Sequence, residues 1–280
     1  MNDKNGISAC IVVYNEDKVI SKCLDSIRQL VDEIIVVHDG NCNDETINIA
    51  KKYTDKIFIR DHVGMMEGHL VFAYNQTNYN WILRIDADEY FDETDTLKIR
   101  ELINDDNISA VAFKWEMWNG QKAIYFDGLQ KRILFRKSNY SFCGIPHEGG
   151  VVRGEIRKVD IMLHHRPVAS NISWANFLKK KKKWAPIHAK YFFPETVVID
   201  CYQSDTSAWV KRIEKAKKCI LWSIIFYPFK YSLGQLKNGL WKSFAGINSA
   251  LQQYSYYLAL YIEVYRLSKL HTKNNILKNK

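Results

Sequence analysis

Two rhythms alternate along the first third of the chain. Ile7-Ser8-Ala9-Cys10-Ile11-Val12-Val13 is a short apolar, β-branched run and predicts a buried strand. From Lys18 to Leu30, apolar residues fall at Ile20, Cys23, Leu24, Ile27 and Leu30, the spacing of a helix with one buried face. Glu33 to Val37 predicts a second strand, and a turn-rich loop from His38 to Asp44 follows it. Asn43 or Asp44 can cap a helix running toward Tyr53. Lys56 to Ile59 is a third strand, about Met65 to Tyr79 a helix, and Trp81 to Ile85 a fourth strand. This β-α-β-α-β-α-β order with short links calls for a parallel sheet covered by helices on both faces.

Beyond Asp88 the pattern changes. Ser109 to Trp115 and Lys131 to Arg136 read as strands, joined by an aromatic and polar connection, and Ile161 to Arg166 closes the sheet region. From Ser173 the chain turns helical and basic through Lys179 to Lys183 and on to Tyr191. Helical segments at about Thr206 to Phe226 and Tyr231 to Leu270 follow. The expected organisation is therefore an α/β domain over 1–168 and a basic, aromatic-rich helical region over 169–280.

Composition adds three constraints. With 280 residues, 47% hydrophobic and 25% charged, the chain can bury a full core and is not globally disordered. The net charge of +9 conceals an asymmetry: residues 1–100 hold 11 Lys and Arg against 18 Asp and Glu, and the remainder holds 29 against 13. A basic back half after an acidic front half suggests an anionic partner such as phospholipid, nucleic acid or a phosphorylated acceptor. The six cysteines (Cys10, Cys23, Cys42, Cys143, Cys201 and Cys219) form no C-x-x-C pair, and Met1 to Gly6 is polar, so reduced thiols in a cytoplasmic protein are expected. No run is long and apolar enough for a spanning helix; membrane contact would be peripheral, at the inner face of the cell membrane.

The candidate chemistry sits where strands end. Ligands of open α/β sheets lie beyond the carboxyl ends of the strands. Three polar clusters, Tyr14 to Glu16, His38 to Gly40 and Asp86 to Glu89, all follow such ends and should converge on one crevice. Asp86 and Asp88 are two residues apart, so on an extended backbone both carboxylates face one way. Two hard oxygen donors there suit Mg²⁺ or Mn²⁺, with phosphate oxygens and water completing the shell.

Three segments in order, Ile11-Val12-Val13-Tyr14-Asn15-Glu16, Asp32 to Thr46 and Trp81-Ile82-Leu83-Arg84-Ile85-Asp86-Ala87-Asp88-Glu89, resemble glycosyltransferase family 2 over about Ile7 to Asp160. The resemblance implies a GT-A fold, with a Rossmann-like mixed sheet flanked by helices, a nucleoside-diphosphate-sugar donor and a divalent metal. It implies that Val13, Tyr14, Asn15 and Glu16 line the nucleotide pocket and that Asp39, beside Gly40, accepts a hydrogen bond from the base; turn formation is Asp39's competing role. Asp86 and Ala87 would face the ribose or a metal-bound water, and Asp88 would ligate the metal bridging the phosphates.

Glu148, in His147-Glu148, resembles the His-Glu pair of bacterial members that build lipopolysaccharide cores and capsules, and is the first choice of catalytic base, against a loop salt bridge; Asp127 is the runner-up. His164 or His165 could supply a third metal ligand or hold a phosphate, His164 being the one chosen. Where many relatives carry an Arg-Asn pair, this chain has Glu67-Gly68-His69-Leu70, and that pair's sugar-contacting role is not carried over.

The expected reaction moves a sugar to a saccharide or lipid-linked acceptor in envelope glycan synthesis, inverting the anomeric centre. In the back half, aromatics interleaved with lysines, including Trp174, Trp184, Tyr191 to Phe193, Trp222, Phe226, Phe229 and the tyrosines from 254 to 265, suit an interfacial helix against anionic headgroups. Two other classes compete. A nucleic-acid-binding protein would use the basic half but lacks a recognisable module. A nucleotidyltransferase would want a Gly-rich, Lys- or Arg-bearing phosphate loop where Tyr14-Asn15-Glu16 stands.

Overall fold

A computed structural model describes residues 4–125, 128–237 and 240–278. Two compact units emerge, one of residues 1–171 with 200–204, the other of 172–199 with 205–280.

The first unit is built on strands β1 (Lys4–Val13), β2 (Glu33–Asp39), β3 (Ile57–Arg60) and β4 (Tyr79–Arg84), with helices α1 (Ile20–Ile27), α2 (Thr46–Ala50) and α3 (Glu67–Asn75) between them. There follow β5 (Glu89–Tyr90), α4 (Thr96–Leu102), β6 (Ile108–Trp115), the hairpin β7 (Met117–Trp118) and β8 (Ala123–Ile124), β9 (Gln130–Arg136), β10 (Tyr140–Cys143), β11 (Val151–Val152) and β12 (Glu155–His165). The large sheet has the order β3-β2-β1-β4-β9-β6-β12-β5. Strands β1 to β4 are mutually parallel where they pair, but β9 runs antiparallel between β4 and β6, so the sheet is mixed.

Strand β1 is buried on both faces, and its alternation divides the core. Ile7, Ala9, Ile11 and Val13 pack with Ile20, Cys23, Leu24 and Ile27 of α1. Cys10 points the other way and joins Ile35 and Val37 of β2 and Leu70, Val71, Ala73 and Tyr74 of α3. A side chain such as Leu24, fully buried, contributes about 1.5–3 kcal/mol over its exposed state. This packing fixes the carboxyl ends of β1, β2 and β4 side by side.

Several expectations are corrected. Strand β2 runs on through His38 and Asp39, both buried, where a loop was expected. Helix α4 carried no strong periodic signal. The six thiols are not all reduced: Cys143 and Cys201, on β10 and the antiparallel β13 (Cys201–Tyr202), form a disulfide. Their separation of 58 residues hid the pairing from spacing arguments.

The second unit contains α5 (Trp174–Lys190), α6 (Ser207–Lys218), α7 (Ile220–Lys237) and α8 (Phe244–Lys278). The single helix expected from Thr206 to Phe226 breaks at Cys219, whose backbone leaves the helical region at φ −125°, ψ 54°. Helix α7 then runs through Pro228. The aromatics divide into two populations. Tyr191, Phe192, Phe193, Tyr256, Tyr257 and Tyr261 are buried, which corrects their expected surface role, and Trp209 joins them in this unit's core; Trp222, Phe226 and Phe229 are exposed. Among the described residues, no helix is long and apolar enough to cross a membrane.

Candidate active site

At the end of β1 the chain turns sharply, with Asn15 at φ 54°, a left-handed conformation that Asn tolerates better than most residues. The Asn15 N–H donates to Nε2 of His38 at 3.3 Å. That nitrogen must therefore be an acceptor, so the proton sits on Nδ1, which donates to the Gly40 carbonyl at 2.8 Å. Buried His38 thus ties the β1 turn to the β2 turn. Asp44 reinforces the tie by accepting the N–H groups of Asp17 (3.1 Å) and Thr46 (3.0 Å), while the Thr46 hydroxyl accepts the Glu16 N–H at 2.7 Å. Burial raises the Asp44 carboxyl, but the bonds from Thr46 and Asp17 outweigh it and hold the pKa down to about 2. Gly40 has φ +88°, and a Cβ there would come within 2.9 Å of the His62 Cβ.

Asp39 lies beneath this turn. Its Oδ1 accepts from the Val63 N–H (2.6 Å) and from His69 Nε2 (2.8 Å). Its Oδ2 accepts from the Gly64 N–H (2.9 Å) and lies 3.1 Å from His62 Nδ1. Three hydrogen bonds thus engage the carboxylate, whereas His62 Nδ1 bonds the Asp39 main-chain carbonyl at 3.2 Å. Burial raises this carboxyl, but the bonds from His69, Val63 and Gly64 prevail and hold it below the ordinary range. Above, Tyr14 (42% exposed) leans against the His62 ring, with centroids 4.8 Å apart.

The end of β4 is organised differently. Asp86 and Glu89 share one cation: Lys131 Nζ on β9 lies 2.6 Å from Asp86 Oδ2 and 2.6 Å from Glu89 Oε1. The Trp115 indole N–H donates to the same Glu89 oxygen at 2.7 Å, and the Asp86 N–H donates to Glu89 Oε2 at 3.1 Å. Burial raises the Asp86 carboxyl, and the Lys131 and Arg84 charges bring it below its ordinary value. Burial and the Asp86 charge leave Glu89 raised. One oxygen, Asp86 Oδ1, is buried and has no hydrogen-bond partner.

Asp88 faces His165, with Oδ2 and Nε2 3.3 Å apart. The reason is register. Strand β5 pairs His165 with Glu89 and His164 with Tyr90, and successive strand residues point to opposite faces. His165 stacks on Trp115 beside Asp88, whereas His164 stacks on Tyr90 and bonds Glu116 (2.9 Å) and Asp92 (3.2 Å). Of the two candidates, His164 is thus turned toward Glu116 and Asp92, and His165 is the one beside Asp88. Among the described residues, no three His, Cys, Asp or Glu side chains form a ready metal cage.

Glu148 lies in the turn after β10. The His147 N–H donates to Glu67 Oε1 on the first turn of α3 at 2.9 Å, and His147 has φ 59°. Asp127 lies outside the described residues. Sequence reasoning passed over His62, His69 and Lys131, whose partners come from distant chain segments; only the Glu67-Gly68-His69-Leu70 departure drew attention to that helix.

The family model described as glycosyl transferase family 2 matches residues 8–162. The chain is 33% identical over 142 residues to an uncharacterised glycosyltransferase of Rickettsia typhi, covering 49% of this chain and 48% of that protein. It is 24% identical over 296 aligned positions to the lipopolysaccharide core biosynthesis glycosyltransferase LpsC of Rhizobium meliloti, covering 99% and 98%. The chain thus spans about half of the first relative and nearly all of the second. Among solved structures, S. aureus TarS aligns at 13% identity and TM-score 0.42, covering 66% of this chain and 43% of that one. Glucosyl-3-phosphoglycerate synthase of Mycobacterium tuberculosis, solved with Mg²⁺ and UDP, aligns at 20% identity and TM-score 0.34, covering 41% and 44%.

Proposed function

The chain belongs to glycosyl transferase family 2, and from that premise we propose that it moves a sugar from a nucleoside-diphosphate donor to a saccharide or lipid-linked acceptor in cell-envelope glycan synthesis. The observation that carries this reading is the side-by-side arrangement of the β1, β2 and β4 ends, which supports one continuous polar crevice. Tyr14 and His62, their rings tilted by 37°, offer aromatic contact suited to a base. Asp39, with its acceptors engaged, acts by rigidly shaping the floor under Gly40 rather than by direct contact. The envelope assignment takes its support from the similarity to LpsC along nearly the whole chain.

The donor set suits a Mg²⁺ or Mn²⁺ ion. Asp88 and His165 are adjacent, Asp86 Oδ1 is a buried acceptor without a partner, and such ions leave several positions to water and substrate phosphates. Asp88 and His165 would hold it, and it would stabilise negative charge on the departing diphosphate. The protein's own steps are positioning and proton transfer. The acceptor hydroxyl attacks the anomeric carbon, the bond from that carbon to the diphosphate oxygen breaks, and Glu148 takes the hydroxyl proton. Direct displacement of this kind inverts the anomeric centre.

The test is release of nucleoside diphosphate from a panel of nucleotide sugars, alone and with envelope oligosaccharide acceptors. The expected result is turnover of one donor, with Glu148→Gln lowering kcat by about 10²–10⁴ while leaving donor KM little changed. No release from any donor would contradict the reading.

A further inference from the structure

Helix α7 presents its more apolar side to solvent. Leu221, Trp222, Ile225, Phe226, Phe229 and Leu233 are all exposed, from 40% to 66%. At 100° per residue these six fall within about 140° of arc. The opposite side is the one that packs: Ser223 and Pro228 are buried, and Tyr227 and Tyr231 stack on Tyr261 and Tyr257 of α8 at 5.0 and 4.0 Å. The start of α8 extends the exposed surface with Phe244, Ile247 and Leu251. The Ser232 hydroxyl donates to the Ala250 carbonyl at 2.9 Å, holding the two helices together where Leu233 and Leu251 lie.

The charge around this surface has one sign. Between Glu214 and Glu263 the sequence contains no acidic residue and six lysines: Lys215, Lys217, Lys218, Lys230, Lys237 and Lys242. Lys215, Lys218, Lys230 and Lys242 are exposed. A patch that joins exposed Trp and Phe to a rim of lysines matches the layered chemistry of an anionic bilayer surface, with apolar side chains at the acyl boundary and ammonium groups among the headgroups. No described helix can span a bilayer, so the contact is parallel to the surface.

We propose that the exposed face of α7, continued by Phe244, Ile247 and Leu251, is an interfacial membrane-docking surface specific for anionic lipid. The proposal is independent of the sugar-transfer reading. Of the aromatics expected at such a surface, it keeps exposed Trp222, Phe226 and Phe229 and sets aside buried Tyr191 to Phe193, Tyr256, Tyr257 and Tyr261.

The test is co-sedimentation of the full chain with sucrose-loaded vesicles of phosphatidylcholine, with and without phosphatidylglycerol. The expected result is binding to the anionic vesicles only, weakened at molar salt as the headgroup attraction is screened. Trp222→Ser with Phe229→Ser should lower the partition coefficient by about tenfold or more. Lys215→Glu with Lys218→Glu should weaken it separately, reading the charge component without touching the apolar face. Both pairs are exposed, so an unchanged Tm accompanies the expected loss. Absence of vesicle binding would overturn the proposal, as would binding unaffected by either double variant. A lipid-free dimer abolished by the aromatic variant, without vesicle binding, would also overturn it and assign the face to a second copy.

Discussion

The ends of β2 and β4 lie on the same sheet edge but are built on opposite plans. At the β2 end both oxygens of the buried carboxylate are used: Asp39 accepts from Val63, Gly64 and His69, and His38 bonds both neighbouring turns. At the β4 end two carboxylates share one lysine, and Asp86 Oδ1 has no partner. A carboxylate with both oxygens hydrogen-bonded shapes its surroundings, whereas one with an unused oxygen retains acceptor capacity for a ligand; at the β2 end the atom left without a partner is a ring nitrogen, His69 Nδ1. The difference separates scaffold from site among residues of the same chemical type.

Substitutions should break this contrast in graded ways. The largest effect is expected at Lys131. Lys131→Met removes the cation that half-buried Asp86 and buried Glu89 share and should cost about 3–5 kcal/mol in urea unfolding, with Glu89→Gln in the same chain recovering part of the loss. At the β2 end, His69→Phe keeps the volume but removes one donor from Asp39, and about 1–3 kcal/mol is expected by the same measurement. An effect at Lys131 no larger than that at His69 would mean that the two ends do not differ in kind.

Asp39 at the β2 end and Glu89 at the β4 end should also respond to pH with opposite signs. Asp39 is held below its ordinary value of 3.8, so its contribution is present above that pH and is lost as pH falls through the lower folded value. Glu89 is raised above 4.5, so the folded state favours its proton, and its contribution is lost as pH rises from 4.5 through the folded value. Comparing wild type with Asp39→Asn should show their stability gap narrowing toward acid. Glu89→Gln should gain on wild type as pH rises through and above 4.5. Equilibrium unfolding across that range reads both trends.

Strands β1 to β4, β6, β9 and the end of β12 were legible because each is a short apolar run, whereas the short β5, β7, β8, β10, β11 and β13 were not. The same rule hid His38 and Asp39, two polar residues buried at the end of β2, the first held by Asn15 and Gly40 and the second by partners from the His62 to His69 segment. The choice between His164 and His165 could not be read from adjacency in sequence; it depends on the register of β12 against β5, which turns His165 to Asp88. Lys131 opens a predicted strand, but nothing local shows that β9 inserts antiparallel beside β4. In the second unit, helical spacing and aromatic content were both visible, but which aromatics are core depends on packing partners distant in sequence. The disulfide between Cys143 and Cys201 was hidden for the same reason.

The central claim is that Asp88 belongs to a ligand site while the β2 end is scaffold. Asp88 is half-buried with His165 Nε2 3.3 Å from its Oδ2, so Asp88→Asn should change unfolding free energy by no more than about 0.5 kcal/mol. The direct measurement is a thermal shift of wild type and Asp88→Asn with UDP, GDP, CDP and dTDP, each with and without Mn²⁺. The account predicts that one diphosphate stabilises the wild type in a Mn²⁺-dependent manner by mass action, and that the variant loses the metal-dependent part with its own Tm unchanged. Equal metal-dependent stabilisation of both proteins, or no response of the wild type to any of the four, would contradict it.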